Sequence, residues 1–330
     1  MAEFTEGTPC WVDAQLPDLE AGKRFYGELF GWTYSGKSAD QGPYPHYTDA
    51  LSDGKPVAAL AAKSDGRMPT TWGVYFATGD AAATARTIRD AGGQVITAPA
   101  PVDGLGTTVL AADPGGAVFG LWQKGERDGF ALSGTPGSFC WTEVYTREKD
   151  AVDRFYRQVF GFQGTELPDE AVDYLMWSPA GTQPGEDTAV GGRSVITDAF
   201  PPEMPGHFLV YFAVTDTDAA VERATRLGGR VTAPPFDIPY GRMAVLVDDQ
   251  GASFAVLAEP GPEPGPELEL ELEPGRAPGR TPRQRPEHPA EPSGAAPAPP
   301  RPGSTDRAPS GQAAEHQATR PVGPAPEPGT

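Results

Sequence analysis

Apolar and polar positions alternate from Cys10 to Leu16, and the period then changes to that of a helix, with Phe25, Tyr26 and Leu29 on one side until Gly31. The spacing predicts a short strand and then a helix that Asp18 caps and Gly31 stops. The same text returns about 130 residues later. GTPCWVDAQLPDLEAGKRFYGELFGW becomes GSFCWTEVYTREKDAVDRFYRQVFGF, with Val152, Phe155, Tyr156 and Val159 leading to Gly161.

Strand-like segments follow each helix, and in the first copy Asp53-Gly54 marks a tight turn between two of them. A second unit then opens on Val-Tyr-Phe-Ala at Val74–Ala77 and again at Val210–Ala213, each followed by a helical pattern that a Gly-Gly pair ends. Its last strands are joined by Asp113-Pro114-Gly115-Gly116 in one copy and Asp248-Asp249-Gln250-Gly251 in the other. The order is strand, helix, about three strands, four times over. A unit of about 55 residues buries too little apolar surface to stand alone, so the units are expected to pair.

The expected class is α+β: four βαβββ units form two tandem domains with cupped mixed sheets, followed by a tail. The predicted boundaries are 5–125 for the first domain, 126–136 for a polar, glycine-containing linker, 137–258 for the second domain and 259–330 for the tail. The tail holds about half of the 38 prolines and no Phe, Tyr, Trp, Ile or Met. Such a composition cannot offset chain entropy by burial and predicts disorder. Its alternating ELELELE (Glu267–Glu273) reads as solvated chain.

Charge narrows the partners. The net charge of −19 argues against nucleic acid and anionic membranes. No apolar run approaches a membrane span, and the amino terminus lacks a signal pattern, so a cytoplasmic location is expected. Each domain holds two units and can close its own hollow, which leaves monomer and homodimer open. The only cysteines, Cys10 and Cys140, hold equivalent places and are expected to be packing thiols.

With CWVDAQLPDLEAGKRFYGELFGW, the DPGGAVFGL ending and the fourfold unit order in view, the chain resembles the vicinal oxygen chelate superfamily: glyoxalases, bleomycin-resistance proteins and extradiol dioxygenases. The tandem form with Cys-Trp opening each half is similar to bacterial glyoxalase-like proteins labelled hydroxylases. The resemblance implies a metal held by a His or Gln on the first strand of a unit and a Glu on its last strand. Carried onto this chain, those positions fall on Trp11, Trp141, Gly73, Leu209, Gly120 and Ala255, none of which is a ligand. No metal or other cofactor is therefore expected.

If Trp11 takes the inward ligand position, Asp13 shares its face, as Glu143 does with Trp141, because residues two apart on a strand point the same way. Val118 and Trp122 join Gly120, and Ser253 and Leu257 join Ala255; Phe119, Leu121, Phe254 and Val256 become core. Two readings stand side by side. In one, each indole stacks on a flat or apolar small organic molecule that the acid orients or deprotonates, which makes Asp13 and Glu143 the candidate catalytic groups and Trp11, Trp122 and Trp141 binding residues. In the other, Trp11 and Trp141 plug hollows that have lost their metal. Arg242 could meet a ligand carboxylate.

His207 lies two residues before the family position and, with Glu143 and a third acid, could form a displaced site for Fe, Mn, Ni or Zn. That alternative would make the protein a metal-dependent lyase, dioxygenase or hydroxylase. A scaffold with filled hollows is the third reading. His46 has no counterpart in the repeat. No Gly-x-Ser-x-Gly elbow, Cys-x-x-Cys pair or phosphate loop is present.

Overall fold

The helices begin and end where the sequence places them. In the computed structural model, which describes residues 4–35, 47–102, 104–167 and 173–260, α1 (Leu19–Phe30) is capped by the Asp18 carboxylate, which accepts from Ala21 N–H at 2.9 Å. Gly31 follows in the left-handed conformation (φ 77°) and its N–H closes the last turn on the Gly27 carbonyl. The equivalent α3 (Lys149–Phe160) ends the same way at Gly161, φ 70°. α2 (Ala81–Asp90) and α4 (Thr217–Arg226) are capped by Asp80 and Asp216.

In the first half the strands are β1 (Pro9–Leu16), β2 (Thr33–Tyr34), β3 (Thr48–Ser52), β4 (Lys55–Ala62), β5 (Trp72–Ala77), β6 (Gln94–Val95), β7 (Ala100–Val102), β8 (Gly106–Ala112) and β9 (Val118–Lys124). They form one mixed sheet of order β2-β3-β4-β1-β5-β9-β8-β6, with β7 paired to β8. The second half repeats it with β10 (Phe139–Thr146), β11 (Gln163–Glu166), β12 (Tyr174–Ser178), β13 (Gly191–Val195), β14 (His207–Ala213), β15 (Arg230–Ile238), β16 (Gly241–Val247) and β17 (Ser253–Ala258). Its order is β11-β12-β13-β10-β14-β17-β16-β15. The first strands of the two units, β1 and β5, pair antiparallel at the centre, as do β10 and β14. Asp53 (φ 50°) and Gly54 (φ 74°) make the tight turn between β3 and β4. The proposed tail, apart from Glu259 and Pro260, and His46 lie outside the described residues.

Phe119, Leu121, Phe254 and Val256 are core, as the alternation predicts. The helix that covers the aromatic ones, however, comes from the opposite half. Phe25, Tyr26 and Phe30 of α1 pack on Phe254, with ring centroids 5.8–6.4 Å apart. Phe155, Tyr156 and Phe160 of α3 pack on Phe119 at 6.0–6.2 Å. A hydrogen bond locks each crossing. The Tyr26 hydroxyl donates to Asp248 Oδ2 at 2.8 Å, and the Tyr156 hydroxyl to Asp113 Oδ2 at 3.1 Å.

Each of these aspartates also caps its own turn, accepting from the Ala252 and Ala117 N–H groups on Oδ1. The repeated Arg-Phe-Tyr and the Asp of each last turn are therefore two ends of the same contact. The halves share one hydrophobic core, and the helices fill the space between the convex faces of the two sheets.

That arrangement leaves the opposite face of each sheet, the one carrying Trp11 and Trp141, free of helices.

Candidate binding site

A bulge makes that face possible. Pairing between β1 and β5 steps from Pro9↔Phe76 to Trp11↔Tyr75, so Cys10 is the extra residue; Phe139↔Phe212 and Trp141↔Tyr211 repeat the step around Cys140. The bulge re-aims the strand so that the indole turns from the core to the concave face. Both cysteines are free. Burial raises the thiol pKa of each, for Cys140 to about 12, which makes packing rather than reactivity their chemistry.

Strand partners share a face, so the register reads out the first hollow row by row. Trp11, Tyr75, Gly120 and Leu110 form one row, and Asp49, Ala59, Asp13 and Gly73 the next. Asp13 is 4% exposed. Its Oδ2 accepts from the Tyr75 hydroxyl at 3.0 Å and the Tyr47 hydroxyl at 3.2 Å, and Trp11 Nε1 donates to the Tyr47 oxygen at 2.7 Å. Burial outweighs the two phenols and lifts the Asp13 pKa to about 7, while burial beside the acid pushes Tyr47 well above its ordinary value.

The second hollow repeats the constellation. Trp141 Nε1 donates to the Tyr174 oxygen at 2.9 Å, and Glu143 Oε1 accepts from the Tyr145 hydroxyl at 2.8 Å and from the Tyr211 hydroxyl. Burial raises the Glu143 pKa against the pull of three phenols, Tyr211, Tyr145 and Tyr174.

The predicted pairing of indole and acid on one face thus appears in both halves, with phenols the sequence reading missed. Tyr75 and Tyr211 stand in the repeated Val-Tyr-Phe-Ala, and Tyr145 is two residues from Glu143; those were the available signals. Trp122 joins the first concave face at its far end, where its Nε1 donates to the Arg127 carbonyl at 3.0 Å. It also lines a cleft of about 400 Å³ with Phe4, Ala77, Lys124 and Asp128. Val118, by contrast, is 48% exposed.

His207 sits in the row Tyr174, Ser194, Tyr145, His207 at the edge of the second cluster. Its ring stacks on Tyr145 (centroids 5.2 Å apart, 7° between planes), and Nδ1 lies 3.0 Å from the Pro205 carbonyl oxygen. Arg242 corrects an expectation. It alternates with Met243, so it faces the helix side of β16, where Asp218 of α4 and Asp237 hold it at 2.6 and 3.0 Å. A guanidinium committed to two acids on that side is not available to a ligand on the concave face.

A divalent metal that does chemistry needs about three nitrogen or oxygen side chains and an open position. At Gly120 the family's glutamate place is covered by a ring: a Cβ there would lie 2.1 Å from Tyr75 Cδ1. Asp13 and Glu143 are occupied by phenol donors, and among the described residues no three His, Cys, Asp or Glu side chains gather to hold a metal. The positions where the family resemblance places metal ligands hold no ligating side chain.

The four units, cupped twice into tandem mixed sheets, define the class: a duplicated vicinal oxygen chelate fold. The glyoxalase/bleomycin resistance protein/dioxygenase superfamily matches residues 11–121 and 138–256, and the chain belongs to that family. It is 39% identical over 273 residues to the anthracycline biosynthesis protein DauV of Streptomyces sp. (strain C5), covering 78% of this chain and 95% of that one. The anthracycline biosynthesis protein DnrV of Streptomyces peucetius matches over the same shares at 39%. In fold the chain resembles the Mn(II)-bound glyoxalase of Novosphingobium aromaticivorans, with a TM-score of 0.54 and 16% identity over 77% of this chain and 83% of that one. The 2,3-dioxygenase LapB of Pseudomonas sp. KL28 gives 0.51 and 16% over 79% and 96%. No helix among the described residues is long and apolar enough to cross a membrane.

Proposed function

We propose that the protein binds a flat, hydroxylated aromatic small molecule on the concave face of its sheets, without a metal. The observation that carries this reading is the duplicated cluster of indole, phenols and buried acid built where the family would place its metal. An indole and several phenols offer ring faces for stacking, and the acid with its phenols offers an array that can donate to, or accept from, a ligand hydroxyl or carbonyl. Relatives named for anthracycline biosynthesis support the choice of a planar polycyclic ligand.

A second reading is favoured by one observation: Asp13 and Glu143 each lie buried on the concave face with phenol hydroxyls on their carboxylates, and burial raises both above the ordinary carboxylate range, which suits a general base. In that reading the same ligand is a substrate whose hydroxyl or acidic C–H proton passes to Asp13 or Glu143. The test of binding is tryptophan fluorescence titration with quinizarin, a dihydroxyanthraquinone. Saturable quenching that Trp11→Ala and Trp141→Ala together abolish supports the proposal, and quenching that survives both changes refutes it. Loss of binding with Asp13→Asn and Glu143→Gln intact in fold would point to the acids as the polar contact.

A further inference from the structure

Resting on that reading, the two hollows can be ranked, because the chain between the halves does more than connect them. The segment from Gly125 to Ala131 folds back over the first concave face. Arg127 places its guanidinium 5.0 Å from the centre of the Trp11 ring and pairs with Asp49, which shares the concave face, at 2.5 Å. Phe130 lies 5.7 Å from the Trp11 ring and stacks on Phe139 at 4.9 Å and 15°.

Backbone bonds fix the segment. Phe130 N–H donates to the Cys10 carbonyl at 2.8 Å, Ala131 N–H to Pro56 at 2.9 Å, and Gly125 and Arg127 N–H to Leu105. Gly129 (φ 136°) allows the closest approach: a Cβ there would stand 2.5 Å from the Cys10 carbonyl oxygen. The residue is glycine because the segment presses on the bulge that aims Trp11.

The described residues over the second hollow touch other groups: the Tyr240 hydroxyl donates to Glu186 Oε1 at 3.1 Å, and Phe200 packs on Tyr145 at 5.8 Å. Trp11 is 4% exposed, whereas Trp141 is only half-buried. The concave surfaces also differ in chemistry. Met176, Leu209, Val245 and Leu257 stand in register where the first half has Asp49, Gly73, Leu110 and Trp122. The first surface is charged and capped. The second is an aliphatic wall that leads to Trp141 and the acid with its three phenols.

We propose that the 125–131 segment is a built-in plug that occupies the ligand face of Trp11 with Arg127 and Phe130. The chain then takes one ligand, in the second hollow: a planar aromatic compound whose apolar rings lie on the half-buried Trp141, Val245 and Leu257 and whose hydroxyl or carbonyl oxygen reaches the phenols around Glu143.

Two measurements on the full chain test this. Hydroxyl-radical footprinting read by peptide mass spectrometry tests the plug without any ligand: Trp141 should be oxidised several-fold faster than Trp11. In the Arg127→Ala/Phe130→Ala double variant, Trp11 should rise to the Trp141 rate while Trp141 is unchanged. Equal rates in the wild type, or no change at Trp11 in a double variant with wild-type circular dichroism, overturns the plug.

Calorimetric titration with quinizarin tests the assignment of the ligand. One equivalent should bind, Trp141→Ala should weaken it at least tenfold, and the double variant should bind two. Two equivalents in the wild type, or loss with Trp11→Ala instead, overturns it. Footprinting asymmetry without any quinizarin binding would sink the binding proposal and the single-site assignment while the plug stands.

Discussion

Asp13 gives the most discriminating single substitution, Asp13→Asn, because it separates the charge of the buried acid from its shape. A carboxyl moved from 3.8 to about 7 keeps its proton in the folded chain over roughly three pH units in which the unfolded chain has lost it. The folded state therefore binds more protons, and stability falls as pH rises through that window, at about 1.4 kcal/mol per pH unit for one group. Summed from 3.8 to about 7, the cost of ionising Asp13 in place reaches roughly 4 kcal/mol.

Asparagine keeps the oxygen that accepts from Tyr47 and Tyr75 and cannot ionise. Near pH 4 the variant should therefore match the wild type to within about 1 kcal/mol, the net worth of one neutral hydrogen bond. At pH 8 it should be more stable by a few kcal/mol. Urea unfolding at both pH values, with unchanged slopes, measures the difference directly. A wild type and variant whose stabilities run parallel from pH 4 to 8 would refute the buried, proton-holding Asp13.

Other consequences follow from the packing. Tyr26→Phe should cost about 3 kcal/mol, because it removes the bond to Asp248 and also strands Trp72 Nε1, which donates to the Tyr26 oxygen at 2.9 Å. Tyr156→Phe, losing only its bond to Asp113, should cost about 2 kcal/mol; chemical denaturation compares them, and equal costs would contradict the shared role of Tyr26. Gly120→Ala should destabilise by roughly 1–3 kcal/mol as the Tyr75 ring is forced aside, and Gly120→Glu should gain no metal by elemental analysis. Residues 1–125 expressed alone, with Phe76 and Phe119 stripped of α3, should associate or aggregate in size-exclusion chromatography; a well-behaved monomer with a cooperative melt would contradict the shared core.

The sequence carried the duplication, the helix limits and the pairing of Trp11 with Asp13, since each follows from a period or a cap within one short stretch. It also carried the departure from the family's ligand positions, because Gly120 and Ala255 have no donor whatever their surroundings. The exchange of helices between halves was not legible: the apolar stripe of α1 suits its own sheet as well as the other, and only the docking of Tyr26 on Asp248 decides. Nor was the linker's second task, for Arg127 and Phe130 sit in a polar, glycine-containing stretch whose local pattern matches any loop. Tyr47 and Tyr174 were hidden for a related reason, as one precedes and the other opens its strand, at unequal offsets in the two copies.

On the proposed reading, a cluster of indole, phenols and acid replaces the metal as the binding chemistry of this fold. The direct measurement is a quinizarin titration of the chelator-treated full chain, repeated after adding manganese, iron, nickel or zinc. Saturable binding is expected in chelator, with affinity changed less than twofold by any of the metals. Binding that appears only when a metal is restored would contradict it.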